Sequence, residues 1–337
     1  MTHDRLTTGK RHLPRITAAL VGAVMVGGLV VIPAGTSSAD PSISDVRKKV
    51  DALYHEAEQA QERYHDVTLE LEAVNRDLRA SAADQERQKA ATEAVRAQVE
   101  DTVVAQYEGQ TLSAVGQVIV SEDPKAFLNQ LSTMTAFQAM QNSLYGDYAT
   151  ELKALRLRTN ATDRRAQAVA ELQAQLAAEK KQKDDALAKA KAILDKMEAA
   201  ERERLLREAA SGGIDPGNIS VSGRASAAVR FAMAQVGDAY VYGAAGPNAW
   251  DCSGLTMVAW AQAGVGLPHS SSAQFGSGAH IPASALQPGD LVFYYSPISH
   301  VGMYIGNGLI VHAAHPGAGV RVAGLYSMPF SGAVRPG

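Results

Sequence analysis

Apolar positions recur along the first two-thirds of this chain with the spacing of a coiled coil. Ile43, Val46, Val50, Leu53, Ala57, Ala60, Tyr64, Val67, Leu71, Val74 and Leu78 alternate 3, 4, 3, 4 without a slip. Such a narrow seam predicts a long helix packed on a partner helix. The frame runs on through polar Ser81, Gln85, Gln88 and Thr92, then recovers at Val95 and Val99. The polar stretch is expected to be loosely held. No Pro or Gly occurs from Ser42 to Glu108, and Gly109 ends the run. At 1.5 Å per residue such a helix is roughly 100 Å long. A second frame contains Tyr148, Leu152, Leu155, Thr162, Ala166, Val169, Leu176, Leu187, Leu194 and Met197 and extends to about Leu206. Asp123 is placed to cap this helix, with Pro124 at its first turn. Two antiparallel helices with a tip at 110–122 are predicted.

Charge divides the chain. From Arg224 onward there is no Lys and no Glu, whereas the 45–208 stretch carries most of the charge. Residues 209–223, rich in Gly, Ser, Pro and Asn, read as a linker that cannot sustain a helix. Beyond it, 225–236 and 252–262 read as helices. Leu291–Tyr295, His300–Ile305, Leu309–Ala313 and Val320–Val322 read as strands. Helices first and antiparallel strands after predict an α+β domain. The expected domains are 1–39, 40–208, 209–223 and 224–337.

At the N-terminus, Lys10, Arg11 and Arg15 precede an uncharged apolar run, Ile16 to Ile32, and then Ser37-Ser38-Ala39. This pattern predicts an export signal cleaved after Ala39; a retained membrane anchor is the alternative. Either places the body outside the cytoplasm, in the periplasm-like space or cell wall. The net charge of −3 gives no electrostatic reason to propose nucleic acid.

The chain has one cysteine, Cys252. No intramolecular disulfide can form. Asp251 is placed to cap the helix that Cys252 opens, and a helix N-terminus favours a thiolate. An inert buried Cys is the competing explanation, but an exported lone thiol fits better as a nucleophile. A base is available in the strand pair. A two-residue turn, Asn307-Gly308, would put His300 and His312 on opposite sides. A three-residue loop, Gly306-Asn307-Gly308, makes one face wholly apolar and puts both histidines on the other. The apolar pattern selects the longer loop. In it Ile305 opposes Leu309 and Met303 opposes Val311, and His300 and His312 are diagonal neighbours. The expected roles are nucleophile for Cys252, general base for His300 and orienting group for His312. The backbone N–H of Cys252 is a natural oxyanion donor. A zinc site on His312 and His315, with His300 or His280, is the rival. It lacks both helical context and a nearby carboxylate, so no metal and no cofactor are expected.

Asp251-Cys252-Ser253-Gly254, Tyr240-Val-Tyr-Gly243, Leu267-Pro268-His269-Ser270-Ser271, Pro288-Gly289-Asp290-Leu291-Val292-Phe293 and His300-Val-Gly-Met-Tyr-Ile-Gly-Asn-Gly308 resemble the NlpC/p60 cysteine peptidases. Within that family they look closest to the Rip-type (RipC-like) peptidoglycan endopeptidases of actinobacteria. The resemblance covers about residues 224–337. It implies a papain-like fold and hydrolysis of peptidoglycan stem peptides at the bond joining D-glutamate to meso-diaminopimelate. It also implies an oxyanion-stabilising hydroxyl on Tyr240, and substrate-cleft positions at Asp251, Ser253, Ser271 and Arg321. The segment Val115–Leu131 resembles the tip of coiled-coil wall hydrolases controlled by the FtsE–FtsX membrane complex, which implies that partner and a link to cell division. The arm reads equally as a spacer and as a regulatory element. A non-enzymatic coiled-coil activator and a muramoyl-alanine amidase are the alternative functions.

Overall fold

The computed structural model describes residues 42–108, 124–215 and 223–337. The export segment (1–39) and the tip (110–122), with the cap at Asp123, lie outside the described residues, as does part of the linker. The two heptad frames form α1 (Ile43–Tyr107) and α2 (Pro124–Leu194), packed along each other. Ala57, Ala60 and Val50 of the seam are buried, as are Leu172, Ala186 and Ala190 of α2. The second frame does not reach Leu206 unbroken. It stops at Leu194, and α3 (Ala199–Ser211) begins after a turn. Helix therefore persists past residue 208, because Ala209, Ala210 and Ser211 carry no backbone constraint; Gly212 and Gly213 do the interrupting.

The polar stretch of the seam is bridged by hydrogen bonds. Gln88 donates to the Glu151 carboxylate, Arg158 donates to Asp84 at 2.7 Å, and Thr92 is buried. Polar residues at and beside the seam hydrogen-bond across the pair where apolar packing is missing. Among the described residues no helix is long and apolar enough to cross a membrane.

The rest is an α+β domain. Helices α4 (Ala225–Ala234) and α5 (Cys252–Ala261) pack on a six-stranded antiparallel sheet. Its strands are β3 (Gly278–His280), β4 (Leu291–Tyr294), β5 (His300–Gly306), β6 (Leu309–Ala313), β7 (Val320–Gly324) and β8 (Phe330–Pro336), in the order β3-β8-β4-β5-β6-β7. Two short strands, β1 (Ala239–Tyr240) and β2 (Ala249–Trp250), pair in parallel beside α5, and α6 spans Ser271–Phe275.

Leu291, Phe293, Val301, Met303, Ile305, Val311, Val322 and Val334 bury one sheet face against Val229, Ala232, Leu255 and Ala259 of the helices. Val292, Tyr294, Ile310 and Ala333 form a smaller cluster on the other face. The β5–β6 turn differs from the expected loop. Gly306, not Ile305, opposes Leu309, and the irregularity falls between Tyr304 and Gly306. Asn307 (φ 54°) and Gly308 (φ 71°) make a two-residue turn, and the extra residue is a bulge in β5. The bulge restores Met303 opposite Val311, so the predicted faces survive.

Candidate active site

Cys252 is the first residue of α5. Asp251 caps that helix, accepting from the backbone N–H of Gly254 at 2.7 Å. Gly254 is required here. A Cβ would lie 2.3 Å from the Ala244 carbonyl oxygen and 2.8 Å from the Asp251 carboxylate. The helix start faces β5 and β6. His300 and His312, on those strands, are joined by a 2.7 Å hydrogen bond between His300 Nε2 and His312 Nδ1. That bond leaves His300 Nδ1 as the ring nitrogen on the Cys252 side. Both rings are buried, at 1% and 4% exposure. Burial and the charge of His300 push the His312 ring well below its ordinary range, so it stays neutral and accepts at Nδ1. Tyr240 is buried against Tyr242, and its phenol is pushed well up by burial, Glu58 and Cys252.

The stretch of α1 from Tyr54 to Asp66 lies over this site. Glu58, Gln61, Glu62 and His65 follow helical spacing and are buried at 7%, 4%, 3% and 8% exposure. Glu58 Oε1 lies 2.7 Å from His300 Nδ1. Glu62 Oε1 accepts from Ser253 Oγ at 2.8 Å and from Cys252 Sγ at 3.6 Å, while its Oε2 accepts from the Ser271 amide at 2.5 Å. Next to it, Asp66 accepts from the hydroxyls of Ser270 and Ser272. His65 Nε2 contacts Asp251 Oδ2 at 3.1 Å, and Tyr242 donates its hydroxyl to the Tyr54 carbonyl. These contacts were not legible as such: in sequence the four residues look like the solvent side of a heptad. The available signal was their own 3–4 spacing on a stripe beside the seam, with a histidine among the acids.

The arm reverses one expectation. Instead of a helix-stabilised thiolate, burial and the carboxylates of Glu62, Glu58 and Asp251 push the Cys252 thiol well above its ordinary range. Burial, together with acids brought within a few ångströms, outweighs the partial charge of a helix end, which is worth at most about 2 kcal/mol.

The expected cleft residues fall in two places. Asp251, Ser253 and Ser271 lie together under Glu62 and His65. Arg321, on β7 opposite His312, instead donates to the Ala209 carbonyl near the end of α3 at 2.9 Å. A cavity of about 280 Å³ remains beside His300 and His312, lined also by Tyr54, His55, Tyr295 and Arg321. The alternative zinc set on His312 and His315 is not assembled among the described residues: His315 turns its Nδ1 to the Pro316 carbonyl and packs on Tyr54.

Residues 237–334 match the family model described as "NlpC/P60 family". A "Probable endopeptidase" of Mycobacterium tuberculosis is 50% identical over 100 residues, 30% of this chain and 26% of that protein. A "Probable endopeptidase" of Corynebacterium glutamicum is 44% identical over 109 residues, 32% of this chain and 52% of that protein. The matches thus span about a quarter to a half of these relatives. The solved NlpC/p60 domain of the peptidoglycan hydrolase SagA is 32% identical, with a TM-score of 0.32, covering 33% of this chain and 97% of that one. On the matched sequence, residues 237–334 of this chain carry an NlpC/P60 domain.

Proposed function

We propose that the protein is a secreted cysteine endopeptidase that cleaves peptidoglycan stem peptides, and that α1 holds it inactive. The observation that carries the reading is that Cys252, at a helix start, has its sulfur within 4.8 Å of a His300 ring nitrogen, and that His300 is hydrogen-bonded in turn to His312. His300 Nδ1 takes the thiol proton, and Sγ attacks the scissile carbonyl. The backbone N–H of Cys252 and the Tyr240 hydroxyl stabilise the tetrahedral oxyanion. His300 then gives the proton to the leaving amine, and water releases the acyl group. His312 fixes the tautomer of His300 throughout. Resemblance assigns the bond joining D-glutamate to meso-diaminopimelate, with Asp251, Ser253, Ser271 and Arg321 around the substrate.

Thiol deprotonation and attack both need positions that α1 now occupies. Glu58 sits on the nitrogen that the thiol would use, and Glu62 fills the space over Cys252. Activation therefore requires the arm to withdraw. The distal part of the pair exposes Tyr107, Leu128, Leu131, Phe137 and Met140, apolar groups suited to a membrane partner of the FtsE–FtsX type acting during cell division.

The test is mass spectrometry of muropeptides digested by the full chain, by Glu58→Ala/Glu62→Ala and by Cys252→Ala. The doubly substituted arm should cleave between D-glutamate and diaminopimelate, and Cys252→Ala should leave the substrate intact. Cleavage at the muramoyl–alanine bond would make the protein an amidase, and no cleavage by any form would make it a non-enzymatic activator.

A further inference from the structure

Beyond the blocked nucleophile, the same interface brings together a second set of donor atoms. His65 comes from α1, Asp251 from the start of α5, and His269 from the loop before α6. His65 Nε2 lies 3.1 Å from Asp251 Oδ2, and His269 Nε2 lies 2.8 Å from Asp251 Oδ1. One donor atom from each residue lies within 4.8 Å of the other two. The two imidazoles are stacked, with centroids 4.0 Å apart. We propose that His65, Asp251 and His269 form a divalent-metal site of the zinc class, shared between the arm and the catalytic domain, and that metal bound there latches the occluded state.

The donor chemistry fits. Two imidazoles and a carboxylate suit zinc, with a fourth tetrahedral position for water. Asp251 needs neither histidine to satisfy its charge as a helix cap. It already accepts from the backbone of Gly254 at 2.7 Å and of Gly243 at 2.8 Å. Those bonds would persist as the outer shell that orients a metal-binding carboxylate. The Gln61 amide, buried and 3.1 Å from His65 Nε2, is placed to hold a metal-bound water. Asp251 and His65 are enclosed, at 1% and 9% side-chain exposure, whereas His269 is 21% exposed and marks the route of entry. Tetrahedral coordination with zinc–nitrogen bonds of about 2.0–2.1 Å requires the stacked rings to splay so that both nitrogens point at one ion, and His269, the most open of the three, can rotate to allow it.

Because one ligand belongs to the arm, the ion binds the closed form far better than the open one. Metal at a hundred times its dissociation constant therefore shifts the balance toward closure roughly a hundredfold. This inference rests on the occluded geometry proposed above.

The experiment is titration of the folded full chain with cobalt(II), followed by zinc competition. Expected are one equivalent bound, tetrahedral visible bands without a thiolate-to-cobalt charge-transfer band, and displacement by zinc. His65→Ala and His269→Ala should each weaken binding at least tenfold, with circular dichroism checking the helices, while Cys252→Ala binds as wild type. If His65→Ala loses helix, His269→Ala decides. Zinc should slow alkylation of Cys252 in the wild type and not in His269→Ala. Absence of binding, binding unaffected by His269→Ala, or a thiolate charge-transfer band placing the ion on Cys252 would overturn the proposal. Faster alkylation of Cys252 in Glu58→Ala without any metal binding would remove the latch and leave the occluding arm. Metal binding without that acceleration would remove the occlusion instead.

Discussion

Glu58 Oε1 and His300 Nδ1 stand 2.7 Å apart, on the side of the imidazole opposite its 2.7 Å bond to His312. The arm thus engages the ring nitrogen to which the proposed mechanism assigns proton transfer from Cys252. Glu58→Ala should raise peptide hydrolysis by the full chain several-fold, because an empty space replaces a charged competitor. Glu58→Gln should raise it less, since the amide oxygen can still accept from the ring. Initial rates on purified muropeptides decide this, and unchanged rates in both variants would mean that the arm does not limit turnover.

Glu62 acts on the thiol itself. After burial, its charge is the largest influence holding Cys252 above the ordinary thiol range. Glu62→Gln keeps an acceptor for the Ser271 amide and removes the charge. The pH midpoint of Cys252 alkylation should therefore move down, while Asp251 and burial keep it from falling all the way. An unmoved midpoint would show that Glu62 is not beside the thiol in solution.

These contacts explain what the sequence could and could not tell. Cys252, His300 and His312 stood out because the domain from Arg224 onward is nearly free of charge, and because strand alternation placed both histidines on one face. The bulge between Tyr304 and Gly306 was hidden, since a three-residue loop and a bulged two-residue turn leave the same residues facing the core. Strand β8 is not legible in the sequence because Pro329, Gly332 and Pro336 break the alternation. Its pairing with β3 and β4 is also made with residues some 40 to 60 positions away. The arm's role was open because heptad position predicts which residues meet α2 and says nothing of a second partner. Glu58, Gln61, Glu62 and His65 are buried by the catalytic domain, so only the folded chain distinguishes them from ordinary surface charges.

Within the catalytic line, the two histidines should separate kinetically. In a Glu58→Ala background, His300→Ala should lower kcat about 10²-fold or more, because it removes the proton carrier. His312→Ala should be less damaging, since His300 keeps its nitrogen toward the thiol and loses only the group that orients it. His312→Glu should retain activity by supplying another acceptor to His300 Nε2. Equal loss in the two alanine variants, or the reverse order, would reassign the base.

Occlusion should depend on pH in both directions. Burial raises Glu58, but the charge and hydrogen bond of His300, with those of His55, more than offset it, so its carboxyl lies below the usual range when closed. Its contribution to closure is present above the ordinary glutamate range and is lost as pH falls through the lowered value. Glu62 runs the other way. Burial and then Asp251 raise its carboxyl, so the closed form binds that proton more tightly than the open form. Its contribution is complete below the ordinary range and is lost as pH rises through the raised value. Closure should therefore be strongest around the ordinary glutamate range and weaken on either side. Hydrogen exchange of the 54–66 amides, corrected for intrinsic rates, reads arm opening independently of thiol chemistry. Wild type should show a minimum of opening with two limbs. Glu62→Gln should flatten the alkaline limb, and Glu58→Gln the acid limb. A profile that either variant leaves unchanged would mean that the corresponding carboxylate does not control the arm.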